Sequence, residues 1–232
     1  MAEYRVSLDI TREVYPVGTL NVFNNRGSEF YRFQYDDGWI DQPFAFDVDP
    51  MLPLKRKFPF QETRLWGVFQ DISPDRWGQI LQDRSSPNAT PLPSGYMVGV
   101  SDSMRLGAIR ISLLESPDEY LSRHSDVPKF VMLSELMEAI KRVELDLETS
   151  EDIRLLICPG ASLGGDRPKA VVQDGREMWI AKFPSQKDKH RVTLWEFMML
   201  KMADSVGIET PESKMLDLSG GTSYWSRGLI AV

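Results

Sequence analysis

The stretch from Pro159 to Glu196 limits what this chain can fold into more than any other. It runs through a glycine-rich segment, PGASLGGDRPK, then AVV, a QDGR turn, EMWIAKF, and a run ending in a glutamate. Two short apolar runs joined by a D-G turn are a hairpin signature. Side chains alternate along a strand, so Met178, Ile180 and Lys182 share one face and Trp179, Ala181 and Phe183 the other. A helix is expected over 191–206, with Gly207 as its C-cap and Pro211 beyond it. At about 100° per residue, Val192, Glu196, Met199, Ala203 and Val206 fall in one apolar stripe about 80° wide.

Each part admits two explanations. Gly160, Gly164 and Gly165 permit unusual backbone conformations and let main-chain N–H groups approach a phosphate. Paired glycines in loops are also simply turns. Ser162 adds a hydroxyl donor, and the absence of a following GK[ST] excludes a Walker loop. A strand lysine usually sits at an edge or in solvent. Lys182, however, follows a glycine loop and a hairpin, where kinase-type folds place the lysine that contacts the α- and β-phosphates. Glu196 lies in an apolar stripe, where a carboxylate is costly unless paired, and Lys182 is the obvious partner. Alternatively it lies near the helix N-terminus, gains from the dipole and reaches water. Lys169 is expected as a solvated strand-end residue. Parts in this order suit a protein that holds a nucleoside triphosphate for phosphoryl transfer.

The first half of the chain reads as strands and turns. VGTLNVF and SEFYRFQY alternate, with NNRG as the turn between them. The segment 41–64 reads as irregular. Ser73 is a candidate cap and Pro74 suits a first helical position, so a helix is expected to about Arg84. Residues 85–95 read as a loop, and 104–114 as a strand. The polar segment 116–128 is the candidate subdomain boundary. Leu133, Leu136, Met137, Ile140 and Val143 then fall at helical spacing behind Ser134, and a short helix is expected near 150–157 behind Thr149 or Ser150.

Composition narrows the function classes. The net charge of −7 over 232 residues argues against a broad basic surface for nucleic acid. One cysteine, Cys158, excludes an intramolecular disulfide framework and points to a reducing cytoplasm. Two histidines and that cysteine are too few for a convincing zinc site, and no metal ligands are assigned. No apolar run reaches the roughly 18 residues of a membrane span, and MAEYRVSLDI has no signal-peptide core.

These residues resemble the HipA-like serine/threonine kinases, the toxin components of bacterial toxin–antitoxin modules. The resemblance rests on VGTL (17–20), FAFD (44–47), PDRWG (74–78), VGVSD (98–102), RLGAIR (105–110), SLGGDRPKA (162–170), WIAKFP (179–184) and WE (195–196), and extends to about Leu218. It implies an α+β fold: a strand-rich N-terminal subdomain over 1–118, with the helix near 74–84, then a protein-kinase-like small lobe over 119–232. It implies ATP and magnesium as cofactors. Ser162, Leu163, Gly164, Gly165, Asp166 and Lys182 would hold the nucleotide, and Lys182 and Glu196 would form the catalytic lysine–glutamate pair. Ser162 matches the serine such kinases autophosphorylate, which switches them off; the added charge beside a phosphate cradle repels nucleotide. Asp166 adds a charge unwelcome near phosphate unless it points away.

The implied partners are a helix-turn-helix antitoxin of the HipB kind, DNA only through that antitoxin, and a protein substrate such as an aminoacyl-tRNA synthetase. After Leu218 the family pattern continues into a helical lobe with the catalytic and metal-binding aspartates. Here SGGTSYWSRGLIAV follows, and neither Asp188 nor Asp217 matches those roles. The C-terminal catalytic lobe is therefore expected to be absent, the chain inactive alone, and self-association favoured by uncovered apolar residues. The competing reading is a non-catalytic module that docks an antitoxin or a separately encoded C-terminal lobe.

Overall fold

The computed structural model describes residues 1–11, 13–54, 58–86, 91–105, 107–121, 132–160, 165–175, 177–218 and 221–227. The chain divides into two compact units. One comprises Met1–Pro74 and Asn88–His124, the other Asp75–Pro87 and Ser125–Ile230.

The first unit is a six-stranded antiparallel sheet. Its chain order is β1 (Ala2–Ile10), β2 (Glu13–Asn25), β3 (Ser28–Tyr35), a short α1 (Asp37–Ile40), β4 (Phe60–Glu62) and α2 (Gly67–Asp71). The chain then enters the second unit as α3 (Arg76–Ser85). It returns as α4 (Pro93–Val98), a 3-10 turn at Asp102–Met104, β5 (Ile109–Leu113) and β6 (Ser116–Tyr120). The spatial order is β4-β3-β2-β1-β5-β6. Both alternating runs are strands, and NNRG is the turn: Asn25 pairs with Ser28, while Arg26 and Gly27 take positive φ of 51° and 85°. The alternation in β3 buries Tyr31, Phe33 and Tyr35 against Val6, Leu20 and Phe69. Gly18 is obligatory, because a Cβ there would stand 2.3 Å from the Gln34 carbonyl oxygen.

Two expectations for this part of the chain are corrected. The strand expected over 104–114 begins only at Ile109, because Arg105 is diverted into the interior. Its guanidinium donates to the carbonyls of Ile72 and Met97, each at 3.1 Å, and of Val100 at 2.9 Å. Burial pushes this guanidinium down to about 10. At the start of α3, Asp75 rather than Ser73 is the N-cap residue; the Ser73 hydroxyl donates to the Phe69 carbonyl at 2.7 Å instead. In addition, α4 starts inside the stretch read as loop.

The second unit pairs a four-stranded antiparallel sheet with helices. After α3 come α5 (Leu133–Glu144), α6 (Ser150–Gly160), β7 (Lys169–Asp174), β8 (Glu177–Lys182), α7 (Val192–Ser205), β9 (Ser213–Leu218) and β10 (Gly221–Arg227). The strand order is β7-β8-β10-β9. Every residue of the expected apolar stripe in α5 is buried, packed with Trp77 and Leu81 of α3 and with Ala170, Val172, Trp179, Ala181 and Phe183 of the sheet. The helix near 74–84 thus groups with the second unit. Thr149 and Asp152 cap α6 reciprocally: the Thr149 amide donates to the Asp152 carboxylate at 2.8 Å, and the Asp152 amide to the Thr149 hydroxyl at 3.3 Å. Arg142 of α5 binds the same carboxylate and holds it well below the usual range.

Arg105→Met keeps much of the side-chain length but strips three buried carbonyls of their donor. It is expected to cost about 3 kcal/mol, the scale of a broken buried charged network. Thermal unfolding followed by circular dichroism should show a clearly lowered midpoint for the variant; an unchanged midpoint would refute the clamp.

Candidate functional site

The register of the β7–β8 hairpin determines the site. Asp174 pairs with Glu177 across the tight turn, and counting back along both strands places Lys169 directly opposite Lys182. Cross-strand partners project from the same face, so two ammonium groups share it. Like charges in that relation repel, and each here has its own carboxylate from a different helix.

Lys182 pairs with Glu196 of α7. Of the two explanations for Glu196, the ion pair is the one adopted. Both side chains remain partly open to water, at 31% and 38% exposure. The alternation expected for β8 is also found: Trp179, Ala181 and Phe183 are buried, while Met178, Ile180 and Lys182 are intermediate.

Lys169 corrects the expectation of a solvated strand end. Its side chain is 7% exposed, with Nζ 3.5 Å from Asp75. Both Asp75 oxygens are closed off from water, with the backbone N–H groups of Trp77 and Gly78 as the other donors nearby. The Trp77 indole donates to the Lys169 carbonyl at 3.2 Å, which seats the start of α3 on the start of β7. Burial lowers the Lys169 ammonium from its ordinary value and raises the Asp75 carboxyl, in each case against the pull of the partner. For both groups the lost hydration outweighs the attraction to the partner.

The glycine-rich segment reaches this pair at Gly165. Its φ is +106°, and a Cβ there would stand 2.6 Å from Lys169 Nζ. Ser162, Leu163 and Gly164 lie outside the described residues. Gly160, expected in the loop, is the last residue of α6. Asp166 sits 3.5 Å from Arg76 and lines a cleft of about 570 Å³ with Arg76, Arg84, Glu144, Arg167 and Asp188; Lys182 and Glu196 do not line it. Asp188 pairs with Arg167 and accepts from the Ser185 amide at 3.1 Å.

No residue of the apolar stripe assigned to α7 is buried: Val192, Glu196 and Ala203 are intermediate, Met199 is 59% exposed and Val206 74% exposed. Thr193, outside the stripe, is the buried residue of α7, and Trp195 and Met202, also outside it, are each 59% exposed. Glu196 stands at the border between the exposed side and the side facing the sheet. Among the described residues, no group of three or more His, Cys, Asp or Glu side chains gathers as a metal site. No helix among them is long and apolar enough to cross a membrane.

Two models of one family match this chain, the HipA N-terminal domain over residues 8–91 and the HipA-like C-terminal domain over residues 161–227. The chain is a HipA-like protein. A chain of the Shewanella oneidensis MR-1 toxin–antitoxin complex of HipA, HipB and operator DNA shares the fold, with a TM-score of 0.53 and 13% identity. The match covers 97% of this HipA-like chain and 50% of that chain, so the protein spans about half the length of the solved one. A comparison with curated protein sequences returns no match.

Gly165→Ala forces a side chain into positive φ and against the Lys169 ammonium. A cost of about 1–3 kcal/mol is expected from the backbone alone. Chemical denaturation monitored by tryptophan fluorescence checks this, and a variant as stable as the parent would show that the segment relaxes freely.

Proposed function

We propose that this HipA-like protein holds ATP at the Lys169–Lys182 end of the β7–β8 hairpin, as the nucleotide-binding part of a protein serine/threonine kinase. The observation that carries the reading is the Lys182–Glu196 pair, a strand lysine held by a helix carboxylate next to a second ammonium, Lys169. A triphosphate needs concentrated positive charge with donors in a fixed place, and two lysines on one face supply it. ATP when bound supplies the phosphoryl group to be transferred. Lys182 binds the α- and β-phosphates, Glu196 fixes its direction, and Gly165 lets the backbone pass close to Lys169. Leu163, Gly164 and Asp166 complete the loop over the nucleotide, and Ser162 is its autophosphorylation site.

Magnesium would accompany the ATP phosphates, held by water and one or two carboxylates, and no described residue is assigned to it. No base for the hydroxyl of a protein substrate is assigned among the described residues. The partners proposed are a HipB-like antitoxin, through which any contact with DNA is made, and a protein substrate such as an aminoacyl-tRNA synthetase, all in the cytoplasm. Support comes from the matched complex, which contains HipA, HipB and operator DNA.

A second reading is favoured by one observation, the exposed apolar side of α7. In it the chain is a non-catalytic module that docks an antitoxin or a separately encoded C-terminal kinase lobe. Mixing this chain with such a lobe and labelled ATP separates the two. Phosphate incorporation that appears on mixing and requires Lys182 supports the kinase reading; association without that requirement supports the docking module.

Calorimetry tests the site itself. Lys182→Ala and Glu196→Ala should each weaken ATP binding by about tenfold or more, the scale of removing or misdirecting one charge-assisted hydrogen bond. ATP affinity equal to that of the parent chain in both variants would reject the site.

A further inference from the structure

We infer that Asp75 is a positioning residue of the nucleotide site: from the N-terminus of α3 it holds the Lys169 ammonium charged and aimed beside Gly165, opposite Lys182. The inference rests on the nucleotide-binding reading above and adds to it a residue far away in sequence.

Lys169 is 7% exposed, and Asp75 is its ion-pair partner at 3.5 Å. The charged groups that face it are Asp75 from α3, Lys182 from β8 and Glu196 from α7. Lys182 opposes its charge, and Glu196 is already engaged with Lys182. Among the charged groups described, Asp75 is the carboxylate that pairs with Lys169. Burial already draws the Lys169 ammonium towards its neutral form, and the pull of Asp75 works against that. Without the carboxylate the amine loses its proton at lower pH, and a neutral amine offers a phosphate far less.

A purely structural role for Asp75 would look different. Its side chain makes no capping hydrogen bond to α3, so Asp75→Asn, of nearly the same size, removes the charge without removing a cap. Its effect on nucleotide binding should depend on pH, whereas damage to the helix would weaken binding equally at every pH.

The experiment is ATP binding by calorimetry across about pH 7.5–9.5 for the whole chain and for Asp75→Asn and Asp75→Glu. One proton linked to binding limits the rise in Kd to about tenfold per pH unit. That rise should begin at lower pH in Asp75→Asn than in the parent, and Asp75→Glu, which keeps the charge, should restore much of the parent profile. Parallel curves for parent and Asp75→Asn would overturn the inference while leaving the nucleotide site intact. A parent chain that binds no ATP would overturn the site and the inference together. Should Asp75→Asn not fold, the parent chain still decides: side-chain carbon–nitrogen NMR of the lysines should show the Lys169 signal shift on adding ATP, and an unmoved Lys169 signal overturns the inference.

Discussion

Two ammonium groups face the same way from adjacent strands, and the second unit is arranged to make that tolerable. Like charges directly opposite each other destabilise a sheet. Lys169 and Lys182 stand in that relation because the turn fixes the pairing of Asp174 with Glu177. Each lysine is then neutralised by a carboxylate that arrives on a helix, Asp75 on α3 and Glu196 on α7. Slipping β8 by one residue would turn Lys182 into the core and take Trp179, Ala181 and Phe183 out of it. The apolar core and the charged face therefore enforce one and the same register.

The helix that supplies Asp75 is held by apolar packing. Trp77 and Leu81 sit in the core with α5, α6 and the sheet, and the Trp77 indole is tied to the Lys169 carbonyl. This packing is what sustains a buried ion pair whose two members are both drawn towards neutrality. Such a pair is poor evidence for stability, since well-packed apolar side chains of similar size do as well or better. Titratable groups perturbed in this way gather preferentially at functional sites.

Much of this was legible in the sequence. The alternation in SEFYRFQY and the spacing of Leu133, Leu136, Met137, Ile140 and Val143 reflect local rules of strand and helix, and the structure follows them; the expected hairpin forms too, but its turn falls one residue past the D-G pair, because Asp174 pairs with Glu177. The partnership of Lys182 with Glu196 was legible as one of two alternatives. The burial of Lys169 was not, and neither was its place opposite Lys182, because a turn centred on Asp174 and Gly175 would set Arg167 there instead. What hides it is α3, about 90 residues earlier in the chain, and no local pattern announces a contact at that separation. Arg105 defied its local pattern for a related reason: its place in an apolar run suggested a strand, while its three carbonyl partners come from segments spread over 72–100. In α7, helical spacing correctly gathered the apolar residues, but spacing alone does not say which side of a helix that is apolar nearly all round meets the sheet.

The two lysines end in opposite energetic regimes, and that difference bears on their roles. An ion pair about one-third exposed on both sides contributes about 0–1 kcal/mol, so Lys182–Glu196 does little to fasten α7 to the sheet. In the proposed nucleotide site, what the partly exposed pair would provide is direction: a long flexible amine kept at one place, able to exchange part of its carboxylate contact for a phosphate. Lys169 is fixed by burial and has little freedom to move. One ammonium that can reorient beside one that cannot is a sound arrangement for gripping a flexible polyphosphate, because the fixed charge defines the position and the mobile one adapts to it.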